Sequence, residues 1–305
     1  NKTLSLQEKQ AAAATGQVTL AHAWMEALGA HKVQAAQILL SPDDTETRRK
    51  HLNARATMGA LLNLGAVPVV NENDTVATAE IRFGDNDRLA ARVAAMIGAD
   101  LLILLSDVDG LYTGNPNQNN DAAHLPQIDH ITDDIMAMAG AANAQYASGG
   151  MVTKLEAGRI STAAGCHMII CDGRDPEPLL RLENGARCSC FIATETPHAA
   201  RKQWIAGALK PRGTIGIDAG ATKALRNGKS LLPAGVVAVD GLFDRGDLIA
   251  VEDQAGRIIG HGLSSYSAAD AAKIKGHKSR EIETMLGYRG RDEMIHADNL
   301  VVIDN

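Results

Sequence analysis

The chain has 305 residues, 45% of them apolar, 22% charged and 3% aromatic, with a formal net charge of −6 at pH 7. That length admits two domains, and the apolar and charged fractions exclude a mostly disordered chain. The negative balance argues against a surface-wide attraction to phosphate backbones, and the scarcity of aromatics argues against a base-stacking platform.

Taken in order, residues 5–29 read as one or two amphipathic helices stopped by Gly29. Val33 to Leu40 reads as a strand, and Ser41-Pro42-Asp43-Asp44 as a turn with capping character. A helix from about Thr45 to Leu64 follows, closed by Gly65, and the apolar run 66–70 predicts a short buried strand. An α/β domain usually opens on a buried strand, yet none precedes Gln34. The expectation is therefore that such a strand lies upstream of Asn1.

The stretch from Asn71 to Asp87 carries Asn71, Glu72, Asn73, Asp74, Glu80, Asp85, Asn86 and Asp87 between a strand and the alanine-rich helix 88–97. Ligands of open α/β sheets bind at the carboxyl ends of strands, so this density of polar groups falls where chemistry is expected. Helix capping accounts for one of the acids at 85–87 and the helix dipole for another. Neither accounts for Asn71 to Asp74, and clustered carboxylates repel unless a cation or cationic ligand compensates them.

After Gly98 the run 100–105 is almost wholly apolar, as in a parallel strand covered on both faces. Ser106-Asp107 at its end is explained equally well by turn initiation. Gly114 to Asp121 reads as an exposed loop, and a helix is expected near 133–139. Ser148-Gly149-Gly150 then opens a helix over about 152–164 whose first turn carries Thr153 and Lys154. Glycines let the backbone approach an oxyanion, helix N-terminal amides attract phosphate, and a lysine there neutralises a phosphoryl group in transfer. The spacing is not that of a Walker loop, and the bland alternative is a glycine turn with a solvated lysine.

A strand over 167–171, a short helix over 176–182 and a strand from Cys190 to Thr194 complete an alternation that predicts a doubly wound, mostly parallel α/β sheet. Ala206 to Gly213 reads as the linker. From about Thr214, short apolar segments (215–217, 236–239, 248–251, 257–259 and 300–303) alternate with Gly and Asp turns, the pattern of a small β-rich module. Helices are expected in it only near 267–274 and 279–286.

The four cysteines are Cys166, Cys171, Cys188 and Cys190, and Cys188-Ser189-Cys190 lacks the usual zinc-ligand spacing. No metal-binding residue is assigned. Reduced thiols fit a cytoplasmic location. No apolar run approaches the roughly 20 residues of a membrane span.

At these motifs the chain resembles the bacterial glutamate 5-kinase family, within the amino acid kinase superfamily. The matching stretches are 52–55 (Leu-Asn-Ala-Arg), 67–74 (Val-Pro-Val-Val-Asn-Glu-Asn-Asp), 84–87 (Gly-Asp-Asn-Asp), 109–112 (Asp-Gly-Leu-Tyr), 149–154 and 230–235 (Ser-Leu-Leu-Pro-Ala-Gly). The resemblance implies a kinase domain over 1–207 and a PUA-like domain over 213–305. It implies ATP-dependent phosphorylation of the γ-carboxylate of L-glutamate with Mg²⁺, inhibition by proline, and a homo-oligomer (dimer or tetramer). Carried over by position, Asp74 and Asn86 would bind glutamate. Lys154 would stabilise the transferring phosphoryl group and Asp87 would orient lysines around it. Ser106, Asp107 and the run Ser148, Gly149, Gly150, Met151, Val152, Thr153 and Lys154 would contact ATP. Members of the family begin with a strand bearing a lysine, followed by Ser-Gly-Ala; neither occurs here.

Two alternatives stand beside this reading. An aspartate kinase would carry ACT-type repeats and an N-acetylglutamate kinase usually ends after the kinase domain, so residues 214–305 fit neither. An RNA-binding PUA protein with a remnant kinase domain would need a basic footprint, but residues 211–305 hold 12 Lys and Arg against 13 Asp and Glu. Neither RNA nor a membrane is expected as a partner.

Overall fold

A computed structural model of the chain describes residues 4–76, 85–116, 118–140, 150–207 and 211–303, and the chain divides into compact units of residues 1–197 and 198–305. In the first, helix α1 (Leu6–Gly29) starts at a capping box. Ser5 Oγ accepts from the Glu8 amide, and the Ser5 amide donates to the Glu8 carboxylate at 2.8 Å. Strand β1 (Gln34–Leu40) leads through the short α2 (Pro42–Glu46), where a turn was expected, and α3 (Arg48–Asn63) into β2 (Ala66–Glu72). β1 and β2 pair in parallel from Gln34 opposite Ala66 to Leu40 opposite Glu72. Asn71 to Asp74 therefore sit at, or one turn beyond, the carboxyl end of this pair.

Helix α4 (Asn86–Ile97) is capped by Asp85, whose carboxylate accepts from the Asp87 amide at 2.6 Å. It stops at Gly98, which takes the left-handed conformation (φ 70°) that lets the chain leave the helix. Its buried stripe Leu89, Ala91, Ala94 and Met96 recurs at helical spacing. Leu89 meets Leu40 of β1, while Ala91 joins the larger core below.

Strand β3 (Leu101–Ser106) is followed by the two-residue strands β4 (Leu111–Tyr112), β5 (His124–Leu125) and β6 (Gln127–Ile128), none of which the sequence pattern resolved. Then come α5 (Asp133–Gly140), α6 (Met151–Ala163), β7 (His167–Asp172), α7 (Pro178–Glu183) and β8 (Cys188–Phe191). The sheet order is β3-β7-β8-β6, with β3/β7 and β6/β8 parallel but β7/β8 antiparallel, so it is mixed. Leu104, Met168, Ile170 and Phe191 of this sheet bury themselves against Leu155 and Ala157 of α6. The final strand begins two residues and ends three residues before the expected 190–194, with its register against β7 starting at Cys188 opposite Cys171. Beyond Phe191 the Ala193 amide donates instead to His167 Nδ1 at 3.1 Å.

The second unit contains most of α8 (Pro197–Gly207), then β9 (Gly213–Ile217), α9 (Ala219–Arg226), β10 (Val236–Gly241), β11 (Leu248–Glu252), β12 (Ile258–Leu263), α10 (Ala268–Ile274), α11 (Ile282–Leu286) and β13 (Leu300–Val302). Its five strands run β10-β9-β11-β12-β13 in one sheet, parallel only between β9 and β11. Ile215, Ile217, Ile249, Val251, Tyr266 and Ile295 form its buried core. Two helices correct the sequence reading. α8 occupies the start of the expected linker, and α9 interrupts the β texture where Asp218 Oδ1 caps it by accepting from the Ala221 amide at 2.7 Å. No helix among the described residues is long and apolar enough to cross a membrane.

Candidate active site

Two helix N-termini meet in the first unit. Asp87 lies in the first turn of α4 and Lys154 in the first turn of α6, and Lys154 Nζ donates to Asp87 Oδ2 at 2.8 Å. Lys154 is 8% exposed, an unusual degree of burial for a lysine unless it is paired. Thr153 Oγ1 also reaches Asp87 Oδ2 at 3.5 Å and donates to the Gly150 carbonyl at 2.7 Å. A second bridge, from Arg88 Nε to Glu156 Oε2 at 2.5 Å, ties the same two helices one residue further on. Sequence reasoning passed over Arg88 and Glu156; their offset by one and two positions from the first pair was the available signal.

Gly150 caps α6 without a side chain, and Met151, Val152, Thr153 and Lys154 form the first turn behind it. Backbone amides at such an end carry partial positive charge, so Lys154 adds a full charge to a place already disposed toward anions. Ser148 and Gly149 lie outside the described residues.

Asn86 opens α4 with an exposed side chain beside Asp87. Asp74 is exposed on the turn after β2. That turn is pinned by the Asn73 amide donating to the Leu40 carbonyl at 2.8 Å and by Thr75 Oγ1 donating to Asn73 Oδ1. Asn71 Nδ2 donates to Gln17 Oε1 of α1 at 2.7 Å, a bond that ties the end of β2 to that helix. Residues 77–84 of the acidic stretch, including Glu80, lie outside the described residues.

Ser106 and Asp107 stand at the carboxyl end of β3, where Ser106 Oγ donates to Asp107 Oδ1 at 3.1 Å. The next turn, Asp109 to Tyr112, is held from β8. Ser189 Oγ accepts from the Leu111 amide at 2.7 Å and donates to the Leu125 carbonyl at 2.6 Å, and Arg187 Nη1 donates to the Tyr112 hydroxyl at 3.1 Å. Gly110 takes φ 148° there, and a Cβ on it would lie 2.5 Å from Ser189 Oγ.

Burial raises the thiols of Cys166 and Cys188 to about 11. No group of three or more His, Cys, Asp or Glu side chains arranged to hold a metal ion occurs among the described residues. A cavity of about 290 Å³ lies along the far half of α6, lined in part by Asp129, His130, Arg159 and Thr162, and none of the expected site residues lines it.

Comparison with known proteins adds two family matches: the amino acid kinase family over residues 1–172 and the PUA domain over 213–286. The chain is 58% identical over 299 residues to the glutamate 5-kinase of Paramagnetospirillum magneticum, covering 98% of this chain and 81% of that one. It is 60% identical over 299 residues to the glutamate 5-kinase of Agrobacterium fabrum, covering 98% and 77%. Among solved structures, carbamate kinase from Giardia lamblia bound to AMP-PNP is similar at 16% identity and a TM-score of 0.41, over 60% of this chain and 75% of that one.

Proposed function

This chain belongs to the amino acid kinase family and, within it, to the glutamate 5-kinases, and we propose that its reaction runs at the Asp87–Lys154 pair. It is a phosphotransferase that moves the γ-phosphoryl group of ATP to the γ-carboxylate of L-glutamate, giving glutamyl 5-phosphate and ADP, the first step toward proline. The matched PUA domain follows the kinase domain. We set the two at 1–207 and 213–305.

The reaction brings two anions together, so the protein's task is charge compensation and alignment. A carboxylate oxygen of glutamate attacks the γ-phosphorus, the bond to the β-phosphate oxygen breaks, and its electron pair leaves on ADP. The nucleophile is already ionised at neutral pH, so no general base is required. Lys154 lies against the phosphoryl group in flight, at the amide-rich start of α6. Asp87 fixes the lysine's direction, a role its 2.8 Å contact supports. Asp74 meets the substrate ammonium, and Asn86, with one donor and one acceptor group, meets its remaining polar atoms. Ser106, Asp107 and residues 148–154 hold the nucleotide. Mg²⁺ arrives on the ATP phosphates, in keeping with its preference for phosphate oxygens and water over an all-protein cage.

The observation that carries this reading is a nearly buried lysine, paired to the acid of one helix start while forming another. An acceptor panel tests it: with ATP, glutamate is turned over and aspartate and N-acetylglutamate are not. Turnover of aspartate with none of glutamate overturns the substrate assignment. Asp74→Asn raises KM for glutamate at least tenfold and leaves KM for ATP within about twofold. An unchanged glutamate KM removes Asp74 from the site.

Proline presents the same nitrogen and carboxylate, so it competes with glutamate for the acidic cluster. Inhibition that lowers the maximal rate without changing the apparent affinity for glutamate contradicts a shared pocket. The four free cysteines support a reducing, cytoplasmic setting, and the enzyme works as a dimer or tetramer.

A further inference from the structure

Beside Ser106 and Asp107 lies a third polar group that the reaction as described does not use. β3 and β7 run parallel and in register, ending with Ser106 opposite Asp172. One residue further the Gly173 amide donates to the Ser106 carbonyl at 2.8 Å, and a Cβ on Gly173 would stand 2.7 Å from Leu105 Cβ. That close approach locks the turn after β7 onto the turn after β3, at the carboxyl ends of adjacent parallel strands.

Arg174 projects from this lock, and Asp172 holds its guanidinium. Nε donates to Asp172 Oδ1 at 3.0 Å and Nη2 donates to Oδ2 at 2.5 Å, a bidentate fork, while the Arg174 amide donates to Oδ1 at 2.9 Å. These bonds hold the Asp172 carboxyl down at about 2, and the Asp107 carboxylate adds a favourable field at Arg174. The arginine side chain is 66% exposed all the same, and its Nη1 makes no hydrogen bond among the described residues. Such a group is ordered without being buried: its plane is fixed, both Nη1 N–H groups remain unused among those residues, and its charge is largely matched by Asp172.

We propose that Arg174 is a nucleotide-binding residue whose guanidinium plane stacks on the adenine base of ATP, with Asp172 as its positioning residue. This deepens, and rests on, the placement of the nucleotide at Ser106 and Asp107. A charge already matched by a carboxylate is poorly suited to neutralising phosphates, whereas a planar guanidinium on a side chain two-thirds exposed is suited to stacking on an aromatic ring. Gly173 brings the fork to the carboxyl end of β3, beside Ser106 and Asp107, so a base bound there is offered the guanidinium plane.

Steady-state kinetics of Arg174→Ala, Arg174→Lys, Ser106→Ala and Asp107→Asn test it, together with inhibition by inorganic tripolyphosphate, which has no base. Loss of one stacking partner raises KM for ATP about tenfold, with kcat within about twofold. Lysine cannot supply the plane, so Arg174→Lys behaves like Arg174→Ala, and tripolyphosphate inhibits both as it does the parent. Unchanged KM for ATP in Arg174→Ala, with Ser106→Ala raising it, overturns the stacking role and leaves the nucleotide site standing. A normal KM in Arg174→Lys, or weaker inhibition by tripolyphosphate, makes the contact ionic and overturns it as well. If Ser106→Ala and Asp107→Asn both bind ATP normally, the nucleotide lies elsewhere and the inference fails with that placement.

Discussion

Lys154 and Asp87, 67 positions apart in sequence, meet at 2.8 Å with side chains only 10% and 19% exposed. Each is the reason the other tolerates burial. Removing either partner leaves a charge largely withdrawn from water, so Asp87→Ala and Lys154→Ala each destabilise the fold by about 2 kcal/mol. The double variant loses less than the sum, because it strands no charge. Urea unfolding of the four proteins gives the coupling; strict additivity would mean the two side chains do not pair.

Ser189 is fully buried and bridges β4 to β5 through the Leu111 amide and the Leu125 carbonyl. Ser189→Ala strands both backbone groups and costs about 1–3 kcal/mol. Amide exchange at Leu111 speeds up more than exchange within β3 or β7. Equal protection in the variant and the parent would deny Ser189 this role.

Tyr266 is buried in the second unit and its hydroxyl donates to the Arg291 carbonyl. Burial pushes the phenol up to about 12. Ultraviolet titration of the native protein accordingly shows a tyrosine component, Tyr266, that resists ionisation well above pH 10. Tyr266→Phe removes that component and costs about 1 kcal/mol. A parent in which all tyrosines titrate together near 10 would place Tyr266 in water.

The thiols give an alkaline dependence with a definite sign. Burial raises Cys166 and Cys188 from 9.0 to about 11, so between those values the folded chain holds protons that the unfolded chain releases. Stability is therefore level below pH 9 on this account and falls as pH rises from 9 toward 11. Cys166→Ala flattens part of that slope. The same thiols are protonated at pH 7.5 and react slowly with aromatic disulfide reagents until the protein is unfolded. Rapid modification of Cys166 in the native state would contradict its burial.

Sequence was informative where the signal was local. The apolar run before Ser106, the Asp85 cap and the glycine before α6 each stand within a few residues of what they specify, and all three were legible. α9 was missed because Gly220 and the neighbouring Gly and Asp turns mask its pattern, although Asp218 is an ordinary cap. β4, β5 and β6 hold only two residues apiece, too few for a period. The reversal of β8 against β7 could not be read, since pairing depends on residues far apart. Lys154 stood out from its own helix start, whereas the role of Asp87 came from the family resemblance, and only folding brings the two into contact. Arg174 carried no motif at all; its significance comes from Ser106, which lies 68 positions away by the numbering and on the neighbouring strand.

The central claim is that Lys154 carries positive charge to the phosphoryl group in transfer. Lys154→Met keeps the length of the side chain and removes its charge. Initial rates with ATP and glutamate are expected to give kcat lower by about 10²–10³, with KM for glutamate within about threefold of the parent. A kcat within twofold of the parent, in a variant that remains folded by circular dichroism, would contradict it.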